Sequence, residues 1–270
     1  MFKQRLISGI ILVIIAAISI GLGGAVMFGV VEGITLIGLF EFYRVFKIEK
    51  KSLGILGYIT AIGYYIMLYS DMQQYILPYA LLFLILCMAL YVFQYPNYKA
   101  QEVMATFFSF FYIVVMLSCL YQVRMMENGV ILVVLVFLSA WGCDTCAYCV
   151  GMLIGKHKMA PVLSPKKTIE GGIGGIVGAG LLGAILAVVT NQVTKVPYNP
   201  VIVYPIICMV GGAISQIGDL AASAIKRNFE VKDYGTLIPG HGGILDRFDS
   251  IIFTAPIIYF GMLLLQNYCL

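Results

Sequence analysis

The amino-acid sequence predicts an all-α, polytopic membrane protein, and three observations carry that prediction. Hydrophobic residues make up 61% of the chain and charged residues only 11%, too little polar material to solvate the surface of a globular domain. Apolar stretches of the length that crosses a hydrocarbon layer, about 20 residues in a helix, follow one another almost without interruption. The lysines and arginines fall at one set of the intervening ends, as basic residues do on the cytoplasmic side of a membrane.

About nine spans are read from these stretches: Leu6–Ile20, Ala25–Phe46, Leu53–Tyr69, Gln73–Phe93, Val103–Val123, Val130–Ile154, Ile169–Thr190, Val201–Ile225 and Ser250–Gln266. They are apolar on all sides, whereas the strands of a membrane barrel alternate apolar and polar residues over about ten positions. The opening MFKQR and the apolar run behind it imitate a secretory signal. With no small-residue cleavage site and a second apolar run following at once, it reads as the first retained span. An odd number of spans puts the termini on opposite sides, with the N-terminus cytoplasmic and the C-terminus outside. In that orientation only Arg124 and Lys195 among the basic residues face outward. The net charge of +4 is therefore a membrane bias. With no basic stretch interleaved with aromatics, nucleic acid is not an expected partner.

Composition changes near residue 140. Residues 1–140 form scaffold spans with few ionisable groups at depth; Glu32 and Glu41 are the exceptions, and Glu41 is placed near the inner interface with Arg44. Residues 141–270 hold Asp144, a basic loop, a glycine-rich helix, Asp219 and a dense polar segment, and are read as a catalytic region facing the cytoplasm. Two motifs there have simpler readings than their spacing suggests. Cys143, Cys146 and Cys149 lack the fourth ligand of a ferredoxin-type pattern and are expected to pack on one helix face. GGIGGIVGAG, Gly171 to Gly180, lacks the Gly-Lys-Ser/Thr ending of a phosphate loop, and its four-residue glycine spacing predicts close helix approach in lipid.

The chemistry is expected in two stretches. In one, Asp219, Ser223 and Lys226 recur at i, i+4 and i+7, which puts a carboxylate, a hydroxyl and a cation on one helix face, with Arg227 nearby. A turn follows, Leu237 to Gly243, with Pro239 and three glycines around His241, and then Asp246, Arg247 and Asp249. Carboxylates without thiolate partners suit a hard cation such as Mg²⁺ held jointly with phosphates. In the other stretch Asp144 shares a face with Tyr148 and Gly151. The loop behind it carries Lys156, His157, Lys158, Lys166 and Lys167 up to a helix start at Thr168 and Glu170, where an N-terminus flanked by lysines attracts phosphate.

These stretches resemble the phosphatidate cytidylyltransferase (CDP-diacylglycerol synthase) family. The resemblance covers roughly residues 141 to 250 and is strongest in SAIKRNFEVKDYGTLIPGHGGILDRFD, residues 223 to 249, with QIGDLAAS and SPKKTIEGG upstream. The resemblance implies transfer of a cytidylyl group from CTP to phosphatidic acid, with Mg²⁺ and room for a second cation, in phospholipid biosynthesis. It assigns metal binding to Asp219 and Asp246, with Asp144 and Asp249 in support. Lys167, Lys226 and Arg227 become catalytic charges, and Lys166, Ser223, His241 and Arg247 substrate contacts. With no eukaryotic targeting feature in the sequence, a plasma (inner) membrane location with a cytoplasmic-facing site is expected, an endoplasmic one staying open; membrane lipids are expected partners and a homodimer is an open state. The competing expectation is a secondary transporter, whose intramembrane acids would fall in two related halves.

Overall fold

The computed structural model describes residues 2–191, 196–238 and 242–268, with side chains placed for residues 9–266 of these. His241, Lys195 and the side chains of Lys3 and Arg5 lie outside the described residues. Nine helices are present among the described residues: α1 (Phe2–Leu22), α2 (Gly24–Val45), α3 (Ser52–Tyr69), α4 (Ile76–Phe93), α5 (Ala100–Met125), α6 (Gly129–Ile154), α7 (Ile169–Thr190), α8 (Pro200–Asn228) and α9 (Leu245–Tyr268). Eight of them are long and apolar enough to cross a membrane, and α1 contributes a shorter described apolar stretch, Gly9–Leu22. The chain is thus an all-α polytopic bundle, and each span expected from the sequence corresponds to one helix.

Two features are additions to that expectation. Helices α5 and α6 each widen into a π-turn, at Phe110–Val115 and Leu138–Gly142. Such turns rotate the residues that follow and recur at functional positions; the second ends just before Asp144. The stretch expected as a loop after α6 is a β-hairpin, β1 (Lys158–Ala160) with β2 (Ser164–Thr168), paired Lys158 to Thr168 and Ala160 to Ser164. Its tip holds Pro161, which suits a turn, and a segment this short carries no periodic apolar signal from which strands are read.

The chain falls into two compact units, one of residues 1–121 with 231–247 and the other of 122–230 with 248–270. In the first, tyrosines are buried with their hydroxyls satisfied across helices. The Tyr43 hydroxyl lies 2.7 Å from Ser109 Oγ, Tyr65 lies 2.7 Å from Thr35 Oγ1, and Tyr64 lies 2.8 Å from Ser118 Oγ. An apolar ring with a paired polar tip fits a lipid-solvated core, where an unpaired hydroxyl is costly.

In the second unit α7 packs on α6 and α8 through its glycines. A Cβ at Gly175 would stand 2.8 Å from both Ala147 Cβ and the Cys143 carbonyl, and one at Gly178 would stand 2.5 Å from Cys146 Cβ. On the opposite side, a Cβ at Gly183 would stand 2.7 Å from the Tyr204 carbonyl of α8. The glycine run is close packing, and Cys143 and Cys146 are among the groups packed against it. Gly175→Ala is expected to cost about 1–3 kcal/mol, the usual penalty for overpacking. Gly33→Ala, whose new Cβ would meet nothing within 4 Å, should leave stability intact. Thermal unfolding of both variants in detergent micelles checks the contrast.

Candidate functional site

The hairpin of the second unit positions its lysines by strand alternation. Along β2, Lys166 is exposed and Lys167 turns inward, as neighbouring strand positions do, while Thr168 at the strand end is buried. Thr168 then caps α7, its Oγ1 accepting from the Gly171 N–H at 3.2 Å. The hydroxyl sits so close to α6 that a Cβ at Gly155 would approach it to 2.7 Å. Glu170 clamps the hairpin base. Its carboxylate accepts from the backbone N–H groups of Lys156 (3.1 Å) and His157 (3.2 Å) and pairs with His157 Nδ1. Lysines beside a helix start, as the residue types alone suggested, are thus held on a hydrogen-bonded hairpin at the N-terminus of α7.

Lys167 Nζ forms an ion pair with Asp219 Oδ2 of α8. Around this pair opens a cavity of ≈ 510 Å³. Asp144, Asp219, Lys158, Lys166 and Lys167 give it charge; Gly151, Gly171 and Gly172 bring backbone close to it; Tyr148, Met152 and Met159 supply its apolar lining. Gln216, also on the wall, donates to the Gly172 carbonyl at 2.9 Å and lies 3.5 Å from Cys143 Sγ, which ties α8 to α7 and α6. The Ser250 hydroxyl donates to Asp144 Oδ2 at 3.3 Å. Asp249 is buried and interacts electrostatically with Asp219, Lys226 and Asp144.

The structure therefore brings Asp144, Asp219, Lys166 and Lys167 onto one cavity, with Asp249 in their field. Ser223 and Lys226 are half-buried and Arg227 is exposed in the last turns of α8, and none of the three lines the cavity. At a rise of 1.5 Å per residue, Lys226 lies about 10 Å along the helix from Asp219.

In the first unit, the segment before α9 is folded around two carboxylates. Asp246 Oδ2 accepts from the Tyr234 N–H at 2.8 Å and the Gly243 N–H at 3.0 Å. Glu41, 3% exposed on α2, accepts from the Ile244 N–H at 3.1 Å and the Leu245 N–H at 2.8 Å. One turn later Arg44 Nη2 donates to the Tyr234 carbonyl at 2.8 Å. Gly242 adopts φ +85°, a conformation that favours glycine, and its carbonyl accepts from Ile238 N–H at 2.9 Å. Arg247 is half-buried in the first turn of α9. The Glu41 contact is the feature of this segment least visible in sequence. Its signal was a carboxylate with an arginine three residues on in an apolar span, which names a paired acid without naming the partner.

Among the described residues, no three His, Cys, Asp or Glu side chains form a ready-made metal cage. Asp144, Asp219 and Asp249 instead offer hard oxygen donors, with Cys143 taken up in helix packing. That donor set fits Mg²⁺, which binds through one or two carboxylates and fills its remaining positions with water and phosphate oxygens.

Acids and lysines gathered on a cavity within an apolar helical bundle define a polytopic membrane protein with a charged cavity. The chain matches the model of the cytidylyltransferase family over residues 3–265 and belongs to that family. It is 30% identical over 267 residues to a phosphatidate cytidylyltransferase of Bacillus subtilis (strain 168), covering 96% of each chain. To a protein of the same name from Staphylococcus epidermidis (strain ATCC 12228 / FDA PCI 1200) it is 34% identical over 271 residues, covering 98% of this chain and 100% of the relative.

Thr168→Ala removes the cap of α7 and is expected to lower stability by about 1 kcal/mol. Thr168→Ser, which keeps the hydroxyl, should avoid most of that loss. Thermal unfolding midpoints in one detergent report the difference.

Proposed function

We propose that this chain transfers the cytidylyl group of CTP to the phosphate of phosphatidic acid, leaving CDP-diacylglycerol in the membrane and releasing pyrophosphate. The observation that carries this reading is the inward Lys167 paired with Asp219 on a cavity that also holds Asp144, in a member of the cytidylyltransferase family. An oxygen of the lipid phosphate attacks the α-phosphorus of CTP. The bond from that phosphorus to the oxygen bridging the β-phosphorus breaks, and pyrophosphate carries the electron pair away. The attacking oxygen is already an anion, so neither a side-chain nucleophile nor a strong base is required. The protein's task is placement and charge neutralisation.

Lys167 and Asp219 are poised for that task because each can exchange partners without leaving a bare charge. A triphosphate arriving with its cation offers Lys167 a phosphate and Asp219 the cation. Two opposite pairs replace one, and no ion is stranded in a low-dielectric site. Lys166 and Lys158 add positive charge at the rim, and the backbone N–H groups at the start of α7 point toward an anion there. Asp144, Asp219 and Asp249 are the proposed Mg²⁺ ligands or ligand-orienting groups; Asp246 joins the proposal on the family resemblance. When bound, Mg²⁺ would supply positive charge to the triphosphate and to the departing pyrophosphate. Lys226 and Arg227, at the end of α8, are proposed to hold the lipid phosphate.

The distribution of basic residues supports a plasma-membrane protein with this site on the cytoplasmic side, where CTP is found and where the lysines of the hairpin sit beside anionic headgroups. The test is conversion of labelled CTP and phosphatidic acid to a lipid-soluble cytidine product in micelles. Asp219→Ala and Lys167→Ala are each expected to reduce kcat/KM by about 100-fold or more while remaining folded, and chelation of Mg²⁺ should abolish turnover. A folded wild type that makes no such product refutes the reading.

A further inference from the structure

We infer that Glu41, on a helix of the N-terminal scaffold, is a positioning residue for the reaction: it fixes the segment that presents Asp246. This rests on the function proposed above. Four consecutive observations within the first unit lead to it. The two carboxylates Glu41 and Asp246 together accept four backbone N–H groups of one segment, those of Tyr234, Gly243, Ile244 and Leu245. Arg44, one helical turn from Glu41, donates to the Tyr234 carbonyl, so the backbone of Tyr234 is held on both sides of its Cα, by α9 at the N–H and by α2 at the carbonyl. Gly235 and Gly243 leave no room for anything else: a Cβ on either would fall within 2.1–2.4 Å of a Glu41 carboxylate oxygen. Finally, Phe42 and Tyr234 are buried side by side, ring centroids 6.4 Å apart, and close the junction from water.

The geometry makes the direction of action plain. Ile244 and Leu245 immediately precede Asp246, and Leu245 opens α9. Their N–H groups have no partners within the helix, because the first turn of any helix leaves its donors unpaired. A buried carboxylate at this end satisfies both and is favoured by the positive end of the helix dipole. Loss of its charge leaves those donors weakly held, lets the first turn of α9 fray, and with it the orientation of the Asp246 carboxylate. Glu41 touches backbone and no reacting atom, so its effect is transmitted through Asp246.

The test compares Glu41→Gln with wild type in micelles, with Glu102→Gln as a control, since Glu102 belongs to an exposed ion pair with Lys51. Glu41→Gln is expected to reduce kcat by about 10–100-fold, the range seen for residues that orient a metal-binding group. KM for CTP should stay within about twofold, as CTP is held elsewhere, and half-maximal activity should need more Mg²⁺. Hydrogen exchange of the peptide containing residues 242–247, measured without substrate, should accelerate in Glu41→Gln and remain unchanged in Glu102→Gln. Wild-type kcat and Mg²⁺ requirement in a folded Glu41→Gln would overturn the inference, as would faster exchange with kcat unchanged, which would make Glu41 a brace alone. If Glu41→Gln does not fold, Gly243→Ala, which displaces the carboxylate from the loop side, must reproduce the kcat loss or the inference fails. An inactive wild type sinks the proposed function; an active wild type beside an equally active Glu41→Gln sinks only the role of Glu41.

Discussion

A charge inside a membrane protein has to be answered by another polar group, and most of the arrangement of polar residues in this chain follows from that constraint. A carboxylate or ammonium at the centre of a span costs about 2.5–3.5 kcal/mol by insertion scales, whereas a hydrogen bond to a charged group returns about 1.5–3 kcal/mol. One acid therefore needs a cation or about two good donors. Asp219 has Lys167; Glu41 has two helix-terminal N–H groups, and Asp246 has two more. Asp144 receives the Ser250 hydroxyl. Except at Asp246, whose donors lie 3 and 12 positions away, each pairing joins elements distant in sequence, so the energetic requirement to pair a charge also fixes the tertiary positions of the segments that carry it.

The glycines of α7 make one of those pairings reachable. With Gly171, Gly174, Gly175 and Gly178 against α6 and Gly180 and Gly183 against α8, the helices approach so closely that no added Cβ fits without displacing a neighbour. In lipid, where apolar surface gains little by associating, this close contact is a main source of helix association. Its consequence is local as well as global. Thr168 and Glu170 start α7 at a point fixed by its packing, the hairpin is clamped to that start, and Lys167 is delivered toward Asp219 by strand alternation. An alanine in the stripe would perturb the site through the hairpin, although no glycine there bears a functional group.

Much of this was legible in the sequence, for reasons that differ from feature to feature. Nine helices could be read because a span needs about 20 apolar residues regardless of its neighbours. The face shared by Asp144, Tyr148 and Gly151 could be read from helical periodicity, and all three line the cavity. The glycine run could be separated from a phosphate loop because a phosphate loop has a required ending. What could not be read depends on partners. Lys166 and Lys167 were equivalent in sequence, and only strand alternation makes one inward and the other exposed. The hairpin that imposes the alternation is too short to leave a pattern. Glu41 looked like an acid near an interface, because a side chain that caps backbone N–H groups some 200 positions away has no local signature at all.

The same accounting separates residues that are free to change partners from those that are not. Lys167 and Asp219 are each about one-quarter exposed, so the pair borders the cavity and both partners can be met there by charged groups of a ligand at little desolvation cost. Glu41 is almost wholly buried, and its partners are peptide N–H groups held in place by the chain. It can release them only by unfolding the start of α9. A site built for a highly charged substrate needs both kinds of acid: one whose counterion can be exchanged when the substrate enters, and one whose partners stay fixed so that the elements around the exchange hold their positions. Asp219 and Glu41 stand on opposite sides of that line, and the degree of exposure, more than the residue type, tells them apart.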